Sequence, residues 1–193
     1  MTSTAGLVLA AGAGRRMGGP KALLRPSAEG PTLLESAVER VRAAGCDDVL
    51  VVVGAAADEV AALAAAAGAA VVRAADWDEG MGASLRAGLA ALAGRPSAPE
   101  RVLVTLVDLP DVGADVMARV LAAAGGPGAL ARAAYGGVPG HPVVLGRDHW
   151  EAVSGTAIGD RGARDHLRAT AHVLVECGDL ATGRDVDTVD DLA

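Results

Sequence analysis

The stretch 9–21, LAAGAGRRMGGPK, constrains this chain more than any other segment. An apolar run, Gly6-Leu7-Val8-Leu9-Ala10, stops at a loop carrying Gly12, Gly14, Gly18 and Gly19. Glycines let successive backbone N–H groups turn inward as an anion nest, and Arg15, Arg16 and Lys21 supply the neutralising charge. The pattern is that of a phosphate cradle at the end of a buried strand. Lys21 is the single lysine among 17 cationic residues, so a flexible point charge stands where this chain otherwise uses the planar guanidinium fork.

Two other phosphate loops are excluded by residues they require. A P-loop needs Gly-Lys-Ser/Thr, but Pro20 precedes Lys21 and Ala22 follows it. The dinucleotide fingerprint needs a third glycine where Met17 stands. It also needs an acidic ribose anchor after the second strand, which here runs Val49–Val53 into Gly54-Ala55.

Apolar strand candidates recur at Leu7–Ala10, Val49–Val53, Ala70–Arg73, Arg101–Val107, Ala129–Ala133, Pro142–Leu145 and Val173–Glu176. Helical spacing fills the gaps: Thr32 with Glu35 reads as a capping box opening a helix through Ala44, and Asp58–Ala67, Ala83–Ala93 and Ala114–Ala124 follow. Such alternation predicts an α/β fold, a single three-layer domain over 1–193 with a mostly parallel Rossmann-like sheet flanked by helices. From Tyr135 the rhythm loosens into a Gly-rich hairpin-like stretch and Gly/Asp loops. About 1–110 and about 111–193 are read as the two parts of this domain, which the resemblance given below makes nucleotide-binding and acceptor-binding.

With 193 residues there is enough chain for one real core, built from Val, Leu and Ala because Phe is absent. The net charge of −7 argues against a nucleic-acid surface. The charge-free run Val60–Val72 is too short to span a bilayer, and no cationic leader opens the chain, so a cytoplasmic protein without a membrane partner is expected. Cys46 and Cys177 lack ligand spacing and read as two buried thiols. His149, His166 and His172 read as surface residues.

Asp108 is delivered at the carboxyl end of Val102–Val107, where ligands of open α/β sheets bind and where the Gly12–Gly19 loop would meet it. A carboxylate facing phosphates calls for a divalent cation, Mg²⁺ or Mn²⁺, which uses one or two carboxylates plus phosphate oxygens. Gly80, Gly82 and Ser84 precede a helix, and the resemblance given below implies that they complete a base and ribose site at its N-terminus. Thr188 with Asp191 repeats the capping-box pattern.

These segments resemble the nucleotidyltransferase family that opens L-A-x-G-x-G-x-R-M-x-x-x-K, and within it the molybdenum cofactor cytidylyltransferase branch. The resemblance continues through Trp77–Leu85, Val107–Pro110, Gly140–Val143, Gly159–Arg164 and Asp185–Leu192. It implies the nucleotide-diphospho-sugar transferase-like fold and transfer of CMP from CTP to a phosphorylated molybdopterin-type cofactor, with release of pyrophosphate. It assigns Arg16 and Lys21 to the triphosphate as catalytic cations beside Asp108, and Leu9, Ala10, Ala11, Gly12 and Gly14 to the nucleotide, with Ala11 favouring CTP over GTP. Asp187 becomes the second metal ligand, with Asp185 a rival two residues away. His141, Asp160, Arg161 and Arg164 fall to the acceptor, His141 and Asp160 having purely structural alternatives. Transient contact with a molybdoenzyme or its chaperone is also implied. Two other functions stay open: transfer to another phosphorylated metabolite (a GTP-dependent cofactor guanylyltransferase or a sugar-phosphate nucleotidyltransferase), and a nucleotide-binding regulatory module without turnover.

Overall fold

In a computed structural model, residues 3–46 and 48–187 are described. Among these residues seven strands and six α-helices run in the order β1 (Thr4–Leu9), α1 (Leu33–Ala43), β2 (Asp48–Val53), α2 (Ala57–Ala66), β3 (Ala70–Arg73), α3 (Met81–Ala93), β4 (Arg101–Leu106), α4 (Ala114–Ala123), β5 (Leu130–Tyr135), β6 (Val138–Gly146), α5 (Trp150–Thr156), α6 (Arg164–Ala169) and β7 (Val173–Glu176). One sheet holds all seven strands in the order β3-β2-β1-β4-β6-β5-β7. It is parallel except for β6, which runs antiparallel to both β4 and β5. The exception is local in origin. Gly136 and Gly137 both have positive φ, 59° and 78°, and such a two-residue turn can only return the chain beside the strand it left.

Each face of the sheet buries its own core. α1, α2 and α4 cover one side, where Val8, Leu34, Val38, Val51, Leu103 and Met117 pack. α3, α5 and α6 cover the other through Leu7, Leu85, Leu89, Val104, Trp150 and Leu167. Strands sandwiched in this way need no polar alternation, and β2 is buried at five consecutive positions from Val49 to Val53. The capping box of α1 is formed: Glu35 N–H donates to Thr32 Oγ1 at 3.1 Å, and Thr32 N–H donates to Glu35 Oε2 at 2.7 Å. Two orphan donors at the helix start are thereby satisfied, a contribution of about 1 kcal/mol.

β1 is followed to one side by β2 and β3, whereas β4 lies on its other side. The carboxyl ends of β1 and β4 therefore form the topological switch point at which such sheets bind ligands. Cys46 and Cys177 are both buried. Among the described residues no helix is long and apolar enough to cross a membrane. The Thr188–Asp191 capping pattern lies outside the described residues.

Several local readings are corrected. Gly82 and Ser84 lie inside the first turn of α3 and do not precede it. His141 sits within β6 and not in a turn before a strand. His149 and His166 are half-enclosed and face one another, Nδ1 to Nε2 at 3.0 Å, linking the segment before α5 to α6. His172 is half-enclosed too, its Nδ1 beside the Thr170 carbonyl.

Candidate active site

A cleft of about 760 Å³ opens at the switch point. Its floor is Leu9–Gly12 from the end of β1 and Leu106–Asp108 from the end of β4; the glycine loop, Lys21 and the first turn of α3 form its walls. The loop keeps its shape through Gly14, which has φ 56° and whose carbonyl accepts from Met17 N–H at 2.8 Å and Gly19 N–H at 3.3 Å. A Cβ on Gly14 would stand 1.9 Å from the Gly19 carbonyl oxygen, so only glycine fits. Met17 is buried and pins the loop down. Gly12, by contrast, faces open space on the cleft wall.

Lys21 opens the next turn with its ammonium held between two carboxylates, 2.7 Å from Asp108 Oδ2 and 3.0 Å from Asp187 Oδ1. Arg16 lies 3.3 Å from the other oxygen of Asp187 and is otherwise open to solvent. Burial lowers the Lys21 pKa, but the hydrogen bonds and charges of Asp108 and Asp187 outweigh it and leave the ammonium above the ordinary lysine value. Lys21 is therefore a fixed positive charge at any physiological pH.

Asp187 reaches this position from the far end of the chain. Thr182 N–H donates to Asp111 Oδ2 at 2.6 Å, Val186 is buried, and Val186 N–H donates to the Asp108 carbonyl at 3.0 Å. Residue 187 is thereby set beside residue 108. Asp185 also lines the cleft, but among the described residues it makes no hydrogen bond or ion pair, so Asp187 is the aspartate joined to Lys21 and Arg16.

The loop after β4 has a support that the sequence did not announce. Arg40 on α1 points one guanidinium nitrogen at the carbonyls of Leu109, Pro110 and Val112, at 2.9, 2.6 and 3.2 Å. Trp77 also went unassigned, although it lines the cleft and packs on Gly54 beside the Ala11 carbonyl. A signal was available: Trp77 is one of only three aromatic residues in the chain, two Trp and one Tyr.

On the main chain of 9–12, some groups are already engaged. Ala10 N–H donates to Val52, and the Leu9 and Ala11 carbonyls accept from Val107 and Ala55. A bound base could therefore use the Ala10 carbonyl and the Ala11 and Gly12 N–H groups. Gly80, with φ 111°, and Ser84 line the cleft, whereas Gly82 is buried against the Ala157 carbonyl, 2.6 Å from where its Cβ would be.

Of the four residues expected on the acceptor side, only Asp160 lines the cleft. It caps α3, Oδ1 accepting from Met81 N–H at 3.4 Å, and not the helix that follows it in sequence. Arg161 is paired with Asp165 at 2.9 Å. Arg164 is exposed at the start of α6, and His141 is half-buried on β6. Burial, with help from Arg132 and Arg164, pushes the His141 pKa down to about 4, so its imidazole is neutral.

Among the described residues no group of three or more His, Cys, Asp or Glu side chains could hold a metal. The two hard carboxylates brought to one ammonium do suit a cation of the Mg²⁺ or Mn²⁺ type, which takes its remaining ligands from phosphate and water.

A glycine cradle at the switch point of a mostly parallel sheet, faced by fixed cations and two aspartates, defines an α/β enzyme that handles phosphorylated nucleotides. Residues 6–173 match the MobA-like NTP transferase domain, and the chain belongs to that family of nucleotidyltransferases. The Nicotine blue oxidoreductase of Paenarthrobacter nicotinovorans is 40% identical over 197 residues, covering 97% of this chain and 93% of that protein. The crystal structure of Rv0371c from Mycobacterium tuberculosis H37Rv superposes with a TM-score of 0.77 at 29% identity, covering 98% of this chain and 95% of that one. A structure of Rv0371c in complex with manganese matches at TM-score 0.69 and 28% identity, over 91% and 88% of the two chains. A nucleotidyl transferase from Methanothermobacter thermautotroptrophicus shares the fold, with a TM-score of 0.78 at 24% identity over 98% and 94%.

Proposed function

We propose that this enzyme transfers CMP from CTP to the phosphate of a molybdopterin-type cofactor and releases pyrophosphate. One observation carries the reading: Lys21, Asp108 and Asp187 converge at the mouth of a glycine loop whose wall is open at Gly12. The N–H groups of the loop, with Arg16 and Lys21, hold the triphosphate. The acceptor phosphate, its second pKa near ~6, is largely dianionic at neutral pH and needs no protein base. Its oxygen attacks the α-phosphorus in line as the bond to the bridging oxygen of pyrophosphate breaks. Lys21, kept charged by its two aspartates, offsets the negative charge that collects on the leaving group. Asp108 and Asp187 would hold a divalent cation, which when bound neutralises phosphate charge. The manganese complex of Rv0371c supports a metal of this class.

Pyrophosphate release with CTP, GTP and ATP, Mg²⁺ or Mn²⁺, and a panel of phosphorylated acceptors tests the proposal. CTP is expected to give the highest kcat/KM, and Ala11→Gly to relax the preference by about ten- to a hundredfold. A wild type that favours GTP would overturn the cytidylyl assignment.

The name of the 40% identical relative favours a second reading, in which the protein reduces a nicotine blue-like substrate, although this chain's loop lacks the dinucleotide fingerprint. Oxidation of NADH or NADPH in the presence of nicotine blue, with no pyrophosphate released from any nucleotide, would establish it instead.

A further inference from the structure

The Lys21 ammonium and the metal position proposed above draw on the same oxygens. Lys21 Nζ donates to Asp108 Oδ2 at 2.7 Å and to Asp187 Oδ1 at 3.0 Å, and the other oxygen of Asp187 accepts from Arg16 at 3.3 Å. Both carboxylates are thus engaged by cations, and the charges of these four side chains cancel. The two grips differ. Lys21 and Asp108 are half-buried, whereas Arg16 is exposed and held at longer range. A charge-assisted bond of 2.7 Å between half-buried partners is a strong one. A free divalent cation reaching Asp108 would have to break it and shed water that Mg²⁺ releases reluctantly. It would also leave the displaced ammonium beside a double positive charge.

A triphosphate removes that obstacle. The main chain of Lys21 is rooted against the glycine nest, its nitrogen 3.2 Å from where a Cβ on Gly14 would stand, and its carbonyl accepts from Leu24 N–H at 3.0 Å. Pro20 before it fixes φ, here at −58°. The backbone therefore stays in place, and the flexible four-carbon stem carries the ammonium from the aspartates to phosphate oxygens held in the nest. A guanidinium needs a matching planar fork at both stops, whereas an ammonium needs only oxygens within reach, which gives the chain's single lysine a reason. We propose that Lys21 is a gate on the metal position. With Arg16 it keeps free divalent cation off Asp108 and Asp187, and it gives the two carboxylates up only when a nucleoside triphosphate draws it away. The substrate form this site takes is then metal together with nucleotide, never metal first. The nucleotide half of this inference rests on the transferase reading, whereas the exclusion of free metal is tested without turnover.

Because Lys21 is the single lysine, full-length protein labelled with ¹³C-lysine gives one ¹³Cε signal, and the wild type reports on the gate directly by NMR. Mg²⁺ alone, up to about 10 mM, is expected to leave the signal in place, and CTP without metal to move it saturably. Binding of Mn²⁺ alone, followed by electron paramagnetic resonance, should have a Kd above about 1 mM in the wild type and be at least about tenfold tighter in Lys21→Gln. A saturable ¹³Cε shift with Mg²⁺ alone, or equal Mn²⁺ affinity in the two proteins, would overturn the gate. Should Lys21→Gln not fold, the wild-type titration alone decides. GTP or ATP moving the signal in place of CTP would keep the gate and sink the cytidylyl assignment. A signal that no nucleotide moves would sink the transferase reading, and the exclusion of free metal would still stand or fall on the Mg²⁺ and Mn²⁺ arms.

Discussion

Val186 donates its main-chain N–H to the carbonyl of Asp108 at 3.0 Å, and through this bond the end of the described chain is stitched to the end of β4. Two aspartates almost eighty residues apart then bracket one lysine. The catalytic consequences follow from that bracket.

Asp108→Asn removes charge at nearly constant volume and is expected to lower pyrophosphate release by more than about a hundredfold with the thermal midpoint little changed. Asp187→Asn should be less damaging, because that carboxylate is 40% exposed against 17% for Asp108 and stands 3.0 Å rather than 2.7 Å from the Lys21 ammonium. Asp185→Asn should be milder still, because that side chain has no partner among the described residues. Near-normal turnover of Asp108→Asn at saturating Mg²⁺ would remove it from the metal-binding role.

Lys21→Arg keeps the charge and should still fail. The ammonium is a compact point between two oxygens 2.7 and 3.0 Å away, with the side chain 18% exposed, and a planar guanidinium cannot occupy the same point. The expected loss in kcat is about ten- to a thousandfold, roughly 1.4–4 kcal/mol, with a smaller change in CTP affinity. Retention of more than half the wild-type kcat would show that the single lysine is compositional accident.

His141 makes stability depend on pH. In the folded protein burial and the two arginines hold its pKa at about 4, against 6.5 for the ordinary imidazole. Between these values the unfolded chain binds the proton more readily, so stability is highest above pH 6.5 and falls on acidification towards pH 4. The loss amounts to roughly 2–3 kcal/mol. Urea unfolding of wild type and His141→Gln across this window should give converging curves as pH falls; parallel curves would contradict the assignment.

Thr105 on β4 is fully buried, and its hydroxyl is the one buried side-chain polar atom among the described residues without a hydrogen-bond partner. Thr105→Val replaces that hydroxyl with a methyl group of similar size and is expected to raise stability by about 1 kcal/mol. A lower midpoint in chemical denaturation would show that the hydroxyl is satisfied in solution.

Much of the framework was legible because its signals are local. The strands Ala70–Arg73 and Val173–Glu176 match the sequence reading end to end, and the Thr32–Glu35 capping box formed as read. Short apolar runs between capped amphipathic helices have few ways to bury themselves other than in a covered sheet. α5 was missed because a seven-residue helix offers too little periodicity to stand out from loop.

The glycine loop, the strand-end aspartate and the lone lysine are likewise properties of short stretches of chain, and the sequence alone determined them together with the alternating strands and helices. Tertiary structure decided the pairings: Asp187 rather than Asp185 against Lys21, Asp160 capping α3, and Arg40 holding the loop after Asp108. The physical reason is that the chemistry of a side chain is written at its own position, but its partner depends on strand order and register. Those are set by the burial of the whole sheet, and a single inter-strand spacing of about 4.8 Å changes which groups meet.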